Sequence, residues 1–249
     1  MIVLPMAGMS SRFFKAGYSV PKYMLDLDGR SVFAHALCSF ARYFGQERFV
    51  IICRADYDTP AFVRAECTKH GLPESDLDLV VLAEPTAGQA ETVALGLDAA
   101  GADDAAPLTI FNIDTFRPGF SYPETFELAA IDGYVEVFAG EGTHWSFVRP
   151  DPADPAAFRA LEVAEKVRIS NLCSTGLYYF ASVGLFRQLY AEIAGRDPAE
   201  LQGGERYIAP LYNTAIQAGR DIRYHLIARD EVQFCGTPDE YEGLRARRS

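Results

Sequence analysis

The chain has 249 residues, 49% of them hydrophobic, and a formal net charge of −11. This length and apolar content suit one α/β domain with a substantial core. The negative charge argues against nucleic acid or an anionic membrane as a partner, because both are bound through basic surfaces. A small phosphate ligand remains compatible, since a few cations inside a cleft can hold it.

Cysteine usage and the lack of targeting patterns predict a cytoplasmic location. No apolar run approaches the ~18 residues of a membrane-spanning helix, and the first residues lack the basic and apolar regions of a secretory signal. Scattered cysteines without a C-x-x-C pair are typical of reduced thiols, so no zinc site is expected. The sequence leaves the oligomeric state open. The cysteines are Cys38, Cys53, Cys67, Cys173 and Cys235.

In the first half of the chain, strand patterns alternate with helix patterns. Short apolar, β-branched runs predict strands that are buried on both faces of a parallel sheet. The first helix has Ser31 as its predicted N-cap. The alternation predicts right-handed crossovers, with helices on both faces of the sheet. The predicted strands are residues 2–4, 49–53, 79–82 and 108–112, and the predicted helices are residues 32–43 and 89–99.

After residue 116 the regular alternation of strand and helix patterns ends. Several strand-like runs follow one another, which predicts mixed or antiparallel strands that cover the site. The whole chain, residues 1–249, is therefore predicted to be a single domain with a Rossmann-like, three-layer α/β/α fold and a mainly parallel, mixed sheet. The later predicted strands are residues 133–138, 145–148, 161–167, 177–180 and 222–227, and the later helices are residues 183–194, 206–218 and from about 238.

The turn after the first strand indicates phosphate binding. Gly8, Ser10 and Ser11 are small, so a ligand can approach their backbone N–H groups. Arg12 can direct two N–H groups at phosphate oxygens, and Lys22 adds a point charge. An ordinary turn with two surface cations is the alternative. The glycine spacing of the dinucleotide-binding and Walker loops is absent from this segment.

The stretches L-P-M-A-G-M-S-S-R and P-K-Y-M-L resemble the signature of the sugar-phosphate nucleotidyltransferases, which make NDP-sugars and related CDP-alcohols. Pro5 stands where the family has alanine, and Ser10 stands where a glycine is usual. The resemblance implies that Arg12 holds the leaving pyrophosphate and that Lys22 acts at the α-phosphate, both as catalytic residues. The other nucleotide-binding residues that it implies here are Leu4, Ala7, Gly8, Ser10 and Ser11.

The run F-N-I-D-T-F ends a predicted strand in Asp114. Ligands bind at the carboxyl ends of parallel strands, and a carboxylate there suits Mg²⁺; a plain strand-end turn is the alternative. The resemblance implies that Asp114 is the catalytic metal ligand and that Asn112 binds the nucleotide. The family's usual second acidic position is Phe234, so that ligand is lost, unnecessary or supplied by an acid such as Glu231 or Asp239.

The run E-P-T-A-G-Q-A-E-T resembles the family's segment that reads the nucleobase. Gly88 permits close approach, and Glu84 corresponds to the base-reading side chain. A carboxylate only accepts hydrogen bonds. Because cytosine presents an exocyclic amine, Glu84 tilts the prediction toward CTP. Gln89 or Glu91 could read the base instead, and an exposed first helical turn is the alternative for both.

The run V-A-E-K-V-R-I-S-N-L-C-S-T-G-L-Y-Y-F resembles the family's acceptor block. The resemblance implies that Glu165 binds acceptor hydroxyls, Lys166 binds the acceptor phosphate and Gly176 lets the acceptor pack closely. An exposed ion pair on a strand is the alternative for Glu165 and Lys166. Trp145 and Tyr207 could flank the acceptor, although a core position is more typical of both.

The resemblance spans residues 2 to about 241. It implies transfer of an NMP from an NTP to a phosphorylated sugar or small alcohol or amine phosphate, with Mg²⁺ as cofactor and pyrophosphate as product. Residues 1–120 would bind the NTP, and residues 121–249 would form the acceptor half with a small lid portion. Glu205 reaches the acceptor only if its helix borders the cleft. The stretches H-W-S-F-V-R-P-D and R-I-S-N-L-C-S-T-G-L-Y-Y-F resemble the capsule or surface-polysaccharide branch most closely.

Two other functions use the same pattern. A GT-A-type glycosyltransferase has the same GT-A-like core and uses an NDP-sugar, with Asn112 and Asp114 as an N-x-D version of its D-x-D motif. A non-catalytic nucleotide-binding protein is the second alternative. The presence of both Arg12 and Lys22 argues against it, because a binder does not require a lysine at the α-phosphate.

Overall fold

The computed structural model describes residues 1–248. The centre of the fold is a parallel part of one nine-stranded sheet. Strand β1 (Ile2–Pro5) lies between β4 (Phe49–Arg54) and β6 (Leu108–Phe111), parallel to both. Strand β5 (Leu77–Leu82) pairs with β4 in the same direction. The predicted parallel sheet is confirmed.

The second half of the chain extends this sheet with antiparallel strands. Strand β11 (Leu172–Phe180) pairs with β6, β8 (Gly133–Ala139) and β9 (Ser146–Pro150). Strand β10 (Ala160–Glu165) pairs with β9, and β12 (Ile222–Ile227) runs parallel to β8. The predicted mixed character of this half is confirmed.

Helices cover both faces of the sheet, and alternate residues of β1 show the two cores. Val3 packs into one core, and Ile2 and Leu4 pack into the other. This arrangement confirms the three-layer α/β/α fold. The helices are α1 (Ser11–Lys15), α2 (Val32–Cys38), α3 (Thr59–Lys69), α4 (Gln89–Ala99), α5 (Val183–Ala194), α6 (Leu211–Gln217) and α7 (Pro238–Arg248).

Two short antiparallel pairs complete the fold. Strands β2 (Asp26–Leu27) and β3 (Arg30–Ser31) form a small hairpin before α2. Strand β7 (Thr115–Phe116) pairs with β13 (Gln233–Phe234), which brings the end of the chain next to the segment after β6. No helix within residues 1–248 combines the length and apolar character needed to cross a membrane.

Two predicted helices are shorter than the sequence pattern indicates. The helix predicted for residues 32–43 ends at Cys38, and a separate 3-10 turn covers Ala41–Tyr43. The helix predicted for residues 206–218 begins only at Leu211. Arg206, the first residue of that prediction, instead forms backbone hydrogen bonds with residues 87 and 90. Pro210 lacks the N–H that an α-helix starting at 206 would need at that position, so the helix begins after the proline.

The five cysteines in the described chain are free thiols. Burial raises the pKa of Cys53 to about 11 and that of Cys67 to about 12. These thiols are therefore protonated at neutral pH, as expected for cysteines that pack in a core.

Candidate active site

Two neighbouring cavities open at the carboxyl ends of β1 and β6, where a sheet of this type binds its ligands. The larger cavity has a volume of about 480 Å³ and the smaller about 190 Å³. Gln89, Asn112 and Asp114 line both. Ligands in the two cavities would therefore meet at Asp114.

The loop after β1 forms one wall of the larger cavity. Ala7, Gly8 and Ser11 line that cavity. A Cβ added at Gly8 would find no atom of the described chain within 4 Å, so the glycine leaves this part of the cavity open. Ser10 has a left-handed backbone, with φ of 51°, and its hydroxyl accepts a hydrogen bond from the Lys22 N–H at 3.2 Å. Ser10 therefore links the loop to the segment that carries Lys22.

The two predicted cations occupy different parts of the site. Lys22 lines the larger cavity, and Arg12 lines the smaller one. The Lys22 Nζ lies 2.5 Å from the Asp114 Oδ2, and both side chains are more than three-quarters buried. Burial disfavours ionisation of Asp114, but the charge and hydrogen bond of Lys22, helped by Arg12, outweigh it and lower the pKa of this carboxyl. Asp114 is therefore ionised at neutral pH.

Asp114 is well placed to hold a metal ion. Its backbone carbonyl accepts a hydrogen bond from the Cys235 N–H at 2.8 Å, which fixes the strand end against β13. The Asp114 Oδ2 is already paired with Lys22, and a Cβ added at Gly236 would lie 3.0 Å from this oxygen, so the glycine avoids further crowding of the carboxylate. Within the described residues no group of three or more His, Cys, Asp or Glu side chains could hold a metal ion. Mg²⁺ needs only one or two protein carboxylates besides phosphate and water, so Asp114 fits it.

Phe234 occupies the position at which the resembled family usually has its second metal-binding acid, and the structure shows its surroundings. The ring of Phe234 lies 4.5 Å from that of Trp145, centroid to centroid. Glu231 lies near Arg117 and Asp239 is exposed, and both lie outside the set of residues that line the cavities. Glu240 does line the smaller cavity, but its carboxylate accepts hydrogen bonds from the N–H groups of residues 236 and 237 and so caps α7.

Asn112 connects the two cavities. Its side-chain carbonyl accepts a hydrogen bond from the Gln89 Nε2 at 2.5 Å, and its backbone N–H donates to the Gly176 carbonyl at 3.0 Å. Gly176 has φ of +87°, and a Cβ there would lie 2.6 Å from the Asn112 Cγ. The space that the sequence assigned to the acceptor at Gly176 is thus partly taken by Asn112.

The predicted base-reading segment is placed differently from the expectation. Gly88 lines the larger cavity and has a positive φ of +145°. The backbone of Arg206 packs against it so closely that a Cβ added at Gly88 would lie 2.5 Å from the Arg206 N atom. Glu84 is exposed and lies outside the set of cavity-lining residues. Leu4 is fully buried in the core beneath the loop.

The smaller cavity contains the predicted acceptor carboxylate. Glu165 is 7% exposed, and its carboxylate accepts a hydrogen bond from the Ser146 hydroxyl. Burial raises the pKa of Glu165. Lys166 has a left-handed backbone, donates a hydrogen bond to the Tyr207 hydroxyl and holds its Nζ 4.4 Å from the centre of that ring. Tyr207 lines the cavity, so Lys166 stands at its rim.

Aromatic side chains form a wall of the smaller cavity. Trp145 and Tyr207 line it, the position that the sequence offered as the alternative to the core. Phe234 joins them, and sequence reasoning considered it only as the replacement of a usual acidic residue. The residues reach the cavity from separate strands and loops, so spacing along the chain could not show that they meet.

The chain is similar along its whole length to a solved nucleoside-diphosphate-sugar pyrophosphorylase from Vibrio cholerae RC9. The identity is 49%, the match covers 99% of this chain and 100% of that chain, and the TM-score is 0.91. The chain belongs to the nucleotidyltransferase family. It is therefore a nucleotidyltransferase, and the resemblance of the opening loop to that family is confirmed.

Two more distant structures share the fold of this nucleotidyltransferase. One is the inositol-1-phosphate CTP transferase from T. maritima, with 17% identity, coverage of 99% and 94% of the two chains and a TM-score of 0.70. The other is a putative glucose-1-phosphate thymidylyltransferase from Bacillus anthracis, with 17% identity, coverage of 99% and 93% and a TM-score of 0.73. No protein-family model matches the nucleotidyltransferase, and no curated protein matches it significantly.

Proposed function

We propose that the enzyme transfers an NMP from an NTP to a small phosphorylated acceptor, a sugar phosphate or an alcohol or amine phosphate, and releases pyrophosphate. The observation that carries this proposal is the Lys22–Asp114 pair at the junction of two cavities. The larger cavity, with its open loop, takes the NTP. The smaller cavity, with Glu165 and its aromatic wall, takes the acceptor.

The proposed reaction is an in-line displacement. An oxygen of the acceptor phosphate attacks the α-phosphorus and forms a new P–O bond, while the bond to the bridging oxygen breaks and pyrophosphate leaves with that electron pair. A phosphate is already anionic near neutral pH, so the reaction requires no general base. Catalysis then depends on positioning and charge stabilisation. Lys22 neutralises charge on the α-phosphoryl group, and the loop N–H groups hold the pyrophosphate. The pyrophosphate role of Arg12 stays a prediction from the family resemblance, because Arg12 lines the smaller cavity.

Mg²⁺ is the proposed cofactor, and Asp114 is the residue that would hold it. When bound, the ion supplies positive charge that neutralises the nucleotide phosphates. Asp114 is prepared for this role because its lowered pKa keeps it anionic. Gly236 contributes by placing no side chain against the Asp114 carboxylate, which Lys22 contacts through Oδ2.

On the acceptor side, Glu165 in its ionised form accepts hydrogen bonds from acceptor hydroxyls, and Lys166 attracts the acceptor phosphate. The similar Vibrio cholerae protein is described as a nucleoside-diphosphate-sugar pyrophosphorylase, which supports a sugar phosphate as acceptor. We propose further that the product serves surface-polysaccharide synthesis in the cytoplasm. This part of the proposal rests on the resemblance of residues 144–151 and 168–180 to the capsule or surface-polysaccharide branch of the family.

The nucleotide preference is a separate question. The prediction of CTP depended on Glu84, which lies outside the cavities. CTP therefore stays a prediction, and the assay must include all four NTPs.

The decisive experiment measures pyrophosphate. The enzyme is incubated with Mg²⁺, each of the four NTPs and a panel of phosphorylated sugars, alcohols and amines. We expect pyrophosphate release with one NTP and acceptor pair and a matching nucleotide-linked product. Transfer from an NDP-sugar without pyrophosphate would instead indicate a glycosyltransferase, and nucleotide binding without turnover on the panel would contradict the proposed acceptors.

A further inference from the structure

A segment of residues 202–207, here called the strap, contacts both sides of the site. On the acceptor side, the Gln202 Oε1 accepts a hydrogen bond from the Glu165 N–H at 2.8 Å. At the other end of the strap, Tyr207 lines the smaller cavity and binds the Lys166 ammonium group. Gly203 has a positive φ of +80° that lets the chain turn tightly against the Tyr207 ring.

The strap is docked on the predicted base-reading segment through Arg206. The Arg206 N–H donates to the Ala87 carbonyl at 2.9 Å, and its carbonyl accepts from the Ala90 N–H at 2.8 Å. Its guanidinium donates to Glu91 at 2.8 Å, and Gly88 leaves room for its backbone. Because these contacts hold Arg206 on both sides, its neighbour Glu205 is held at a defined place beside the larger cavity.

Glu205 is the strap residue that lines the larger cavity. It is exposed, and Pro85 and Gln89 line the same cavity. Burial raises the pKa of Tyr207, and the negative charge of Glu205 adds to that rise. The same charge adds to the raised pKa of Glu165, which burial causes in the first place. Glu205 thus lies at the larger cavity, and its charge also acts on Tyr207 and Glu165 of the smaller cavity.

We propose that Glu205 is a specificity-determining residue that accepts hydrogen bonds from donor groups of the nucleoside, either the ribose hydroxyls or an exocyclic amine of the base. This inference rests on the proposed function, since it assigns the larger cavity to the NTP. A carboxylate accepts and never donates when ionised. It therefore favours a nucleoside that presents O–H or N–H groups over an analogue that lacks them.

The test is a binding experiment with Mg²⁺ and without acceptor, so that turnover plays no part. Calorimetry measures the dissociation constants of ATP, GTP, CTP, UTP and their 2′-deoxy counterparts for the wild type and for Glu205→Ala. In the wild type, the preferred nucleotide should bind more tightly than an analogue that lacks the donor group. We expect Glu205→Ala to reduce this ratio of dissociation constants by about tenfold or more, because a hydrogen bond to a charged group is lost. Reduced discrimination against the 2′-deoxy nucleotide indicates a ribose hydroxyl, and reduced discrimination between CTP and UTP indicates the base amine.

Two further variants separate a direct contact from a structural effect. Glu192→Ala removes an exposed carboxylate outside the cavities and should retain the wild-type ratios of dissociation constants. Arg206→Ala removes the contact with Glu91 that helps to hold the strap, so it should weaken the binding of all nucleotides and also lower the discrimination that depends on the position of Glu205. If Glu205→Ala weakens the binding of all nucleotides equally, or changes none, the inference is wrong. A wild type that binds no NTP would contradict the proposed function itself.

Discussion

The two cavities are built in different ways. The larger cavity is lined mainly by three short contiguous segments, residues 5–11, 85–89 and 112–114. The smaller cavity is lined by side chains spread between residues 144 and 240, together with Arg12 and the shared residues. Backbone N–H groups are presented by local conformation, whereas a wall of side chains requires distant strands in the correct register. The lining of the larger cavity is therefore mostly visible as short motifs, whereas the motif around Glu165 and Gly176 accounts for only part of the smaller cavity.

A buried ion pair next to the smaller cavity illustrates this dependence on distant segments. The Arg117 guanidinium contacts the Glu136 carboxylate at 2.9 Å and 3.1 Å, with both side chains at least 95% buried. The same carboxylate accepts a hydrogen bond from the Thr175 hydroxyl at 3.0 Å, and Arg117 also donates to the Glu231 carbonyl at 2.9 Å. Because Thr175 lines the smaller cavity, the pair holds a cavity wall in place.

The largest expected effect comes from breaking this pair. Arg117→Met leaves the Glu136 charge buried without its partner, so the free energy of unfolding should fall by about 3–5 kcal/mol. Urea denaturation measures the change. Arg64→Met, which removes an exposed pair with Glu74, is the matched control and should cost less than about 1 kcal/mol. If the free energy of unfolding falls by a similarly small amount in both variants, the buried pair does not hold the wall of the smaller cavity in place.

The next effect concerns the junction of the cavities. Lys22→Ala should lower kcat by about 10²–10³, because a preorganised charge at the reacting phosphate is lost. The fold should persist, since Lys22 lies in a cleft. Lys15→Ala is the control, an exposed lysine from the same signature region. Steady-state pyrophosphate release measures both variants, and near-normal turnover of Lys22→Ala would remove Lys22 from the proposed mechanism.

A smaller effect is expected at Gly176, which lines the smaller cavity. Gly176→Ala forces a side chain onto Asn112 and into a left-handed conformation, so we expect a loss of about 1–3 kcal/mol in the free energy of unfolding. KM should rise for both substrates, because Asn112 lines both cavities. A rise for the acceptor alone would favour the role that the sequence predicted for Gly176.

Gly195→Ala is the matched control for that variant. Gly195 ends α5 with φ of −88°, and a Cβ there meets no atom of the described chain within 4 Å. We expect its stability to stay at the wild-type level or to rise slightly. A Gly176→Ala variant as stable as Gly195→Ala would contradict the packing argument.

The smallest expected effect is the pH dependence of the Lys22–Asp114 pair. The pKa of Asp114 is lowered in the folded state, so the unfolded chain binds more protons between that value and about 4. The stabilisation is present above pH 4 and is lost as the pH falls through the folded pKa. Urea denaturation of the wild type and Lys22→Met should therefore show a stability difference that shrinks below pH 4. A difference that grows on acidification would contradict the lowered pKa.

Prediction from sequence succeeded where the signal is local. The helix α4 and the helix α5 begin and end where their patterns indicate, and Lys22 and Asp114 meet as the motifs imply. It failed for the start of α6, because the docking of Arg206 on residues 87 and 90 outweighs helical propensity. The enzyme class was also accessible from the sequence, through the resemblance that the Vibrio cholerae structure confirms.

The sequence by itself determined the layered fold, the loop of small residues after β1 and the strand end that carries Asp114. Each depends on hydrophobic periodicity or on residues close together in the chain. The tertiary structure alone decided that Trp145, Tyr207 and Phe234 share a wall, that Gly88 makes room for Arg206, and that Glu205 instead of Glu84 lines the larger cavity. These placements arise from contacts between segments far apart in the chain, and such contacts leave no fixed spacing in the sequence.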